Sequence, residues 1–438
     1  MQRQQRLKAD AEAAFQAALA AADPGPRVTA WLRENAQAGR PVGRLAIIAI
    51  GKAACAMAAA ATAERSADPA DVLVITKDGH AGQCPPGMGQ VVETGHPTPD
   101  GRSLAAGEEA LDRVKSLGAE DELLLLVSGG ASALAEALPA GLPEADWFAA
   151  NAALVNAGLP IQAINAVRKH CSRLKGGHLA AAAAPASVTA LLLSDVIGDD
   201  PAVIGSGPAA ADPSSYADAL VAIDGIPDFP TAIRSHLQRG RDGDLQETPE
   251  AAELTHASNA VVGTNRMALE AAAQALEERG YRPWLMTSRL QGEASQVARA
   301  LAAVGLEARH AGDPMTPPAA FLWGGETTVT LGSETGEGGR NQELALAMAP
   351  DLAGAAAIGA LCAGTDGTDG PTEAAGAWVD GTTLRRAGDL GLSVVEALNS
   401  HDSGTLLHQL ADRLVTGPTG TNVMDLALVL VAEDSDGG

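Results

Sequence analysis

Two glycine-bounded segments carry residue types that could handle a metal-bound phosphate. They are GEGGRNQELAL at 336–346, with Arg340, and CAGTDGTDGPTEAAGA at 362–377, with Asp366 and Asp369. Glycines such as Gly338 and Gly339 let backbone amides approach an anion. An arginine can grip a phosphoryl group through two parallel N–H bonds, and carboxylates can hold a hard cation such as Mg²⁺. Either segment alone also reads as a tight surface turn with solvated charges. Their tandem placement beside short apolar runs favours the ligand-handling reading.

The first half of the chain spells out a scaffold for further residues of this kind. LAIIAI (45–50) leads into Gly51-Lys52, DVLVIT (71–76) into KDGH, ELLLLV (122–127) into Ser128-Gly129-Gly130, and VTALLLS (188–194) into a turn holding Asp195 and Asp199. Alanine-rich helical stretches separate these runs. Strands that are apolar without alternation are buried on both faces, and helices between them imply right-handed crossovers in a parallel, doubly wound sheet. Such sheets bind ligands beyond the carboxyl ends of their strands. Gly51, Ser128, Gly129 and Gly130 are therefore expected to join Gly338 and Gly339 around a cofactor, with Lys52 and Asp195 on the same edge.

The stretch from Asp212 to Leu254 is rich in Pro, Asp, Gly and Arg and has no strong strand run, so it is read as a domain junction. SNAVVGTNRMALEAAAQALEERG then restarts a strand, loop and helix. Further strands are expected at FLWGGETTVTLG, AAIGALCAG and DLALVLVAE, forming a mixed sheet. The expected α/β division is 1–240 and 250–438.

Composition narrows the partners. A chain of 438 residues with 46% hydrophobic content supplies two cores. Thirty Lys+Arg against 54 Asp+Glu, a net charge of −24, argue against a nucleic-acid partner. Cys55, Cys84, Cys171 and Cys362 are scattered without a C-x-x-C pair, which suits a reduced compartment and carries no zinc or disulfide signature. The amphipathic N-terminus is not a signal peptide, and no apolar run approaches the ~18 residues needed to span a bilayer. A cytoplasmic protein without membrane partners is expected.

Several motifs are missing. Gly51-Lys52 is followed by Ala53, so there is no P-loop. No G-x-G-x-x-G follows a strand, H-E-x-x-H is absent, and VSGGAS does not match a nucleophile elbow. The remaining candidates each have a plainer reading. Lys52 is a point charge for a transferring phosphate or a solvated helix-start residue. Asp195 is a base for a hydroxyl, a metal ligand or a turn-forming Asp. Arg168, Lys169 and Lys175 in NAVRKHCSRLKGG form an anion-binding cluster or a solvated face. Glu326 and Glu343 orient Arg340, bind metal or form structural ion pairs, and His96 is more readily structural than catalytic.

Taken together, IAIGKAACAMA, ETGHPTPDGRS, VSGGASALAEAL, INAVRKHCSRLKGGHLA, LLLSDVIGDDPAVIGSGP, VVGTNRMALEAA, WGGETTVTLG, GEGGRNQELAL, CAGTDGTDGPTEAAGAWVD and TGPTGTNVMDL resemble the glycerate 2-kinase family with a C-terminal MOFRL domain. The resemblance runs in order from about Ile47 to the end. It implies ATP- and Mg²⁺-dependent phosphorylation of D-glycerate to 2-phosphoglycerate, with a Rossmann-like N-terminal domain and a smaller C-terminal one. It further implies that Lys52, Asp195 and Arg340 form the catalytic group of an interdomain cleft. Ala131, Ala209 and Met424 depart from the family pattern at SGGAS, after GSGP and in TNV-x-D, which touches finer substrate contacts and not the reaction class. Asp366 and Asp369 are expected as direct or water-mediated partners of the metal. The alternatives are a glycerate 3-kinase, a hydroxypyruvate or tartronate reductase, and a metabolite-binding protein without catalysis.

Overall fold

The structure is a computed structural model that describes residues 2–35, 43–332 and 336–433. The chain divides into two compact units, 24–263 and 264–438 together with 1–23.

In the unit 24–263 the sheet strands are β1 (Leu45–Ile50), β2 (Val72–Lys77), β3 (Gln90–Thr94), β4 (Glu122–Val127), β5 (Ser187–Leu193) and β6 (Ala257–Gly263). Their order is β3-β2-β1-β4-β5-β6, and every neighbouring pair is parallel. This is the doubly wound Rossmann order expected from the apolar runs. All six residues of β4 are buried, which is why that run shows no alternation.

The other unit holds β7 (Arg282–Leu290), β8 (Ala319–Gly325), β9 (Ile358–Gly364), β10 (Gly376–Asp380), β11 (Arg413–Leu414) and β12 (Asp425–Val431). Their order is β11-β10-β9-β12-β8-β7, antiparallel except for the β7–β8 pair, so the sheet is mixed as expected. The Ala-rich helices Ala294–Ala311 and Arg340–Leu352 supply much of its core through Leu301, Leu344, Leu346 and Met348.

The division differs from the expected 1–240 and 250–438; of the ends named there, Met1 and 434–438 lie outside the described residues. β6, expected to open the second domain, instead pairs with β5 from Val188↔Ala257 to Leu193↔Gly263. The stretch 212–254 is no linker. Its helices Tyr216–Ala222 and Thr231–Arg241 bury Tyr216, Ile223, Ile233 and Leu237 against Trp147, Leu154 and Val167, a satellite core that local polarity concealed. Conversely, helix Gln2–Ala21 belongs with 264–438. It buries Leu7, Ala11 and Phe15 and packs on helix Asn265–Glu277, and Asp10 Oδ2 accepts from the Tyr281 hydroxyl at 3.0 Å.

The cysteines, expected to carry no disulfide, do form one. Cys55 and Cys84 form a disulfide across 29 residues, while Cys171 and Cys362 are buried thiols. β1 and β2 lie side by side, so the loop after β2 folds over the start of the helix after β1; no local spacing announces that juxtaposition. Among the described residues, no helix is long and apolar enough to cross a membrane.

Candidate active site

At the carboxyl ends of β1 and β4 two loops are laced together by backbone. Ser128 N donates to Ile50 O at 3.0 Å, and Lys52 N donates to Gly129 O at 2.9 Å. Ser128 Oγ, fully buried, accepts from Ala53 N at 3.0 Å, just before helix Ala54–Arg65. Gly51 has φ +134, and a Cβ there would collide with Ser128, so the close approach requires glycine. Gly130, at φ +85, begins the short helix Ala131–Leu134; a Cβ on it would meet His96 at 3.0 Å and Lys52 Cγ at 3.6 Å. The structure thus brings Gly51, Lys52, Ser128, Gly129 and Gly130 together, with His96 beside them.

Asp195 follows β5 and is half-buried, separated from Lys52 in the sheet order by β4. Nearby Asp199 adopts φ +55, and its Oδ1 is buried without a hydrogen-bond partner among the described residues. A non-glycine residue held in that conformation with an unmet carboxylate oxygen is a functional-site signature.

Arg340 is the first residue of helix Arg340–Leu352. Its Nε donates to Asp425 Oδ2 at 2.6 Å and its Nη2 to Asp425 Oδ1 at 3.0 Å, a bidentate fork. Nη1 faces Glu326 Oε1 at 3.0 Å. Burial by itself pulls the guanidinium pKa down, but the bond and charge of Asp425, with Glu326 and Asp369, outweigh it and hold it above its ordinary value. Asp425 opens β12 opposite Gly325 and Gly364, and a Cβ on Gly364 would lie 3.2 Å from Asp425 Oδ1, so the missing side chain there leaves room for the carboxylate. Glu326 therefore does orient Arg340, whereas Glu343 does not: it pairs with His401 Nδ1 at 3.0 Å.

The glycine turns of this unit serve close packing. A Cβ on Gly339 would collide with the Asp369 carboxylate, and one on Gly338 would lie 2.5 Å from Ser403 Oγ. Asp369, 3% exposed, spends both oxygens on the helix start. Oδ1 accepts from Asn341 N at 3.0 Å, and Oδ2 from Gln342 N at 2.8 Å and Gln342 Nε2 at 3.1 Å. Burial nonetheless raises its pKa, because those donors only partly offset desolvation. Asp366 differs: it is half-buried, with Oδ1 closing a local turn on Thr368 N at 3.1 Å. Among the described residues no group of three His, Cys, Asp or Glu gathers as a metal cage. Mg²⁺ in phosphoryl-transfer sites is commonly held by one or two carboxylates, phosphate oxygens and waters. Asp366 fits that pattern as a single ligand, while Asp369 is committed elsewhere.

A small cavity beside Arg340 is lined by Trp323, Gly324, Thr327, Asn341 and Asp425. Thr327 Oγ1 and Asn341 Oδ1 are buried there without partners among the described residues. Asp425 is the residue that sequence reasoning missed. It sits 85 positions from Arg340, and the only local signal was an acid at the head of an apolar strand run.

Residues 10–238 match a family described as a domain of unknown function, DUF4147, and residues 319–425 match the MOFRL family. The glycerate 2-kinase of Pyrococcus horikoshii is 37% identical over 89% of this chain and 88% of its own length. The chain belongs to the glycerate 2-kinase family. A crystal structure of the glycerate kinase from Thermotoga maritima superimposes with a TM-score of 0.86 at 35% identity, covering 98% of this chain and 100% of that one. A protein of Agrobacterium vitis, 42% identical over 95% of this chain and 93% of its own, carries a name that offers hydroxypyruvate reductase as a candidate activity. Within the glycerate 2-kinase family, then, Lys52, Asp195 and Arg340 stand in the motifs through which the resemblance runs.

Proposed function

We propose that this protein transfers the γ-phosphoryl group of ATP to the 2-hydroxyl of D-glycerate, giving 2-phosphoglycerate and ADP. The observation that carries this reading is kinship with named glycerate kinases along nearly the whole chain, in both of its units. Phosphoryl transfer demands positioning and charge stabilisation rather than covalent chemistry from the protein. Lys52, fixed by its backbone bond to Gly129, would supply a point charge to the transferring group. Asp195 would orient the acceptor hydroxyl and take its proton. Arg340 is preorganised by Asp425, and its Nη1 is the nitrogen that Glu326, half exposed, would yield to a phosphoryl oxygen. Mg²⁺, when bound, neutralises charge on the nucleotide phosphates, and Asp366 would hold it together with waters.

The reductase reading lacks support in the sequence: the loop after β1 is Gly51-Lys52-Ala53, with no dinucleotide fingerprint. Incubation with D-glycerate, ATP and Mg²⁺ should yield a product that enolase converts to phosphoenolpyruvate without phosphoglycerate mutase. Phosphoenolpyruvate that appears only once the mutase is added would make the protein a 3-kinase. Oxidation of a reduced nicotinamide cofactor by hydroxypyruvate, with no ADP formed from glycerate, would overturn the kinase reading.

A further inference from the structure

The segment NAVRKHCSRLKGG concentrates cations, and among the described residues all but one have a carboxylate partner. Lys169 Nζ pairs with Asp212 Oδ1 at 2.9 Å, and both side chains are buried. Arg173 Nη1 lies 2.7 Å from Glu108 Oε1. Lys175 and Glu136 form a buried pair, with Ser172 Oγ also donating to Glu136. His170 Nε2 lies 2.9 Å from Glu247 Oε2. Arg168 has no such partner: among the described residues, no carboxylate stands within ion-pair distance of its guanidinium.

A side-chain hydrogen bond fixes its aim. Nε donates to Asn151 Oδ1 at 2.9 Å, and Asn151 Nδ2 in turn donates to Trp147 O at 3.0 Å, which sets the amide orientation. Nη1 and Nη2 are left as a planar fork without an acceptor among the described residues, the geometry that matches a carboxylate. The residue is half-buried, and desolvation depresses its pKa with only partial relief from Glu136. A cation kept in such a place without a counter-charge is destabilising until an anion arrives.

The surroundings connect Arg168 to the sheet edge already described. Asn165 lies one turn earlier on the same face of helix Ile161–His170, and its Oδ1 accepts from Ser206 Oγ at 3.0 Å. Ser206 Oγ is 2.8 Å from Ser132 Oγ, on the short helix that begins at Gly130 beneath Lys52 and His96. Ser206 itself is held at φ +62 between Gly205 and Gly207, both also at positive φ. Hydroxyls and a vacant guanidinium fork therefore flank the loop that carries Lys52.

We propose that Arg168 receives the carboxylate of the hydroxy-acid substrate, with the half-buried Ser132, held by Ser206 behind it, as a partner for a substrate hydroxyl. The inference rests on the reading of a hydroxy acid as acceptor and deepens it by naming the residue that selects for the acid group. It accounts for one unneutralised cation in a segment that otherwise pairs every charge.

The test is calorimetric binding of D-glycerate without nucleotide to the wild-type protein and to Arg168→Met, Arg168→Lys and Asn151→Ser. Loss of a charge-assisted fork should weaken binding about 30-fold or more in Arg168→Met. Arg168→Lys, which keeps charge but not the fork, should fall between, about 5-fold or more weaker than wild type, and should decide the matter if Arg168→Met does not fold. Asn151→Ser, which only frees the guanidinium, should raise KM for glycerate several-fold, on the order of 3- to 10-fold, with kcat unchanged. Preference for glycerate over glycerol should collapse in Arg168→Met. Equal glycerate affinity in wild type and the Arg168 variants, or no glycerate binding to wild type, overturns the inference. If wild type binds glycerate through Arg168 yet forms no ADP, the kinase reading fails and the arginine assignment stands.

Discussion

Arg340 and Arg168 are both half-buried arginines at helix ends, one in each unit, and their surroundings differ in kind. Arg340 has a fork bond to Asp425 and a second carboxylate in Glu326, and its pKa is raised. Arg168 has, among the described residues, one neutral amide, and burial lowers its pKa. Arg340 is thus preorganised in a locally negative cluster. Arg168 is an uncompensated positive charge in a protein with a net charge of −24. Burial penalises both cations; what separates them is whether the fold or a ligand supplies the counter-charge.

The comparison breaks most visibly at the paired arginine. Arg340→Met should lower kcat by about 10²-fold or more, as loss of a preorganised donor does, and Lys52→Met should do the same. Arg340→Met should also destabilise the protein by about 2–3 kcal/mol, less than for a fully buried pair, because it strands Asp425 beneath a partly solvated neighbour. Replacing both partners, Arg340→Met with Asp425→Leu, should recover that stability in a denaturant titration without recovering turnover. Recovered turnover would reduce the pair to a structural bridge.

Arg168→Met should behave in the opposite way on stability. Removing an uncompensated half-buried cation in favour of an apolar chain of similar length should leave Tm unchanged or slightly raised. A fall in Tm comparable with that of Arg340→Met would mean that Arg168 is structurally paired after all.

The smallest effects should separate the two aspartates of the TDGTDG turn. Asp369→Asn should destabilise by about 1–2 kcal/mol, through weaker acceptance of the amides at Asn341 and Gln342, while the Mg²⁺ concentration needed for activity stays the same. Asp366→Asn should do the reverse, raising the Mg²⁺ requirement with Tm unaltered. An Asp369→Asn protein with normal stability and an increased Mg²⁺ requirement would restore the symmetrical metal loop expected from spacing alone.

That expectation shows how the sequence was legible and where it was not. Glycine and acid in tandem at 336–346 and 362–377 marked two turns that do meet, but the same residues permit either a metal site or a capped helix. Only the placement of Asp369 against the amides of Asn341 and Gln342 decides between them. The polar run 212–254 read as a linker because its apolar residues are spaced for two short helices, whose burial depends on Trp147 and Leu154 far upstream. The cation run at 168–175 reads as one cluster, yet each partner of Lys169, Arg173 and Lys175 is at least 39 residues away, so the pairing is invisible locally.

Periodicity and glycine placement by themselves determined the parallel sheet, the mixed character of the second sheet and the edge on which Lys52 lies, because strand burial on both faces and tight backbone approach leave local traces. They could not determine that β6 closes the first sheet, that helix Gln2–Ala21 packs with residues 264–438, or which arginine is neutralised and which is left for a ligand. Those outcomes depend on contacts between residues tens to hundreds of positions apart, where the energy of burying a charge is settled by the neighbours that tertiary structure delivers.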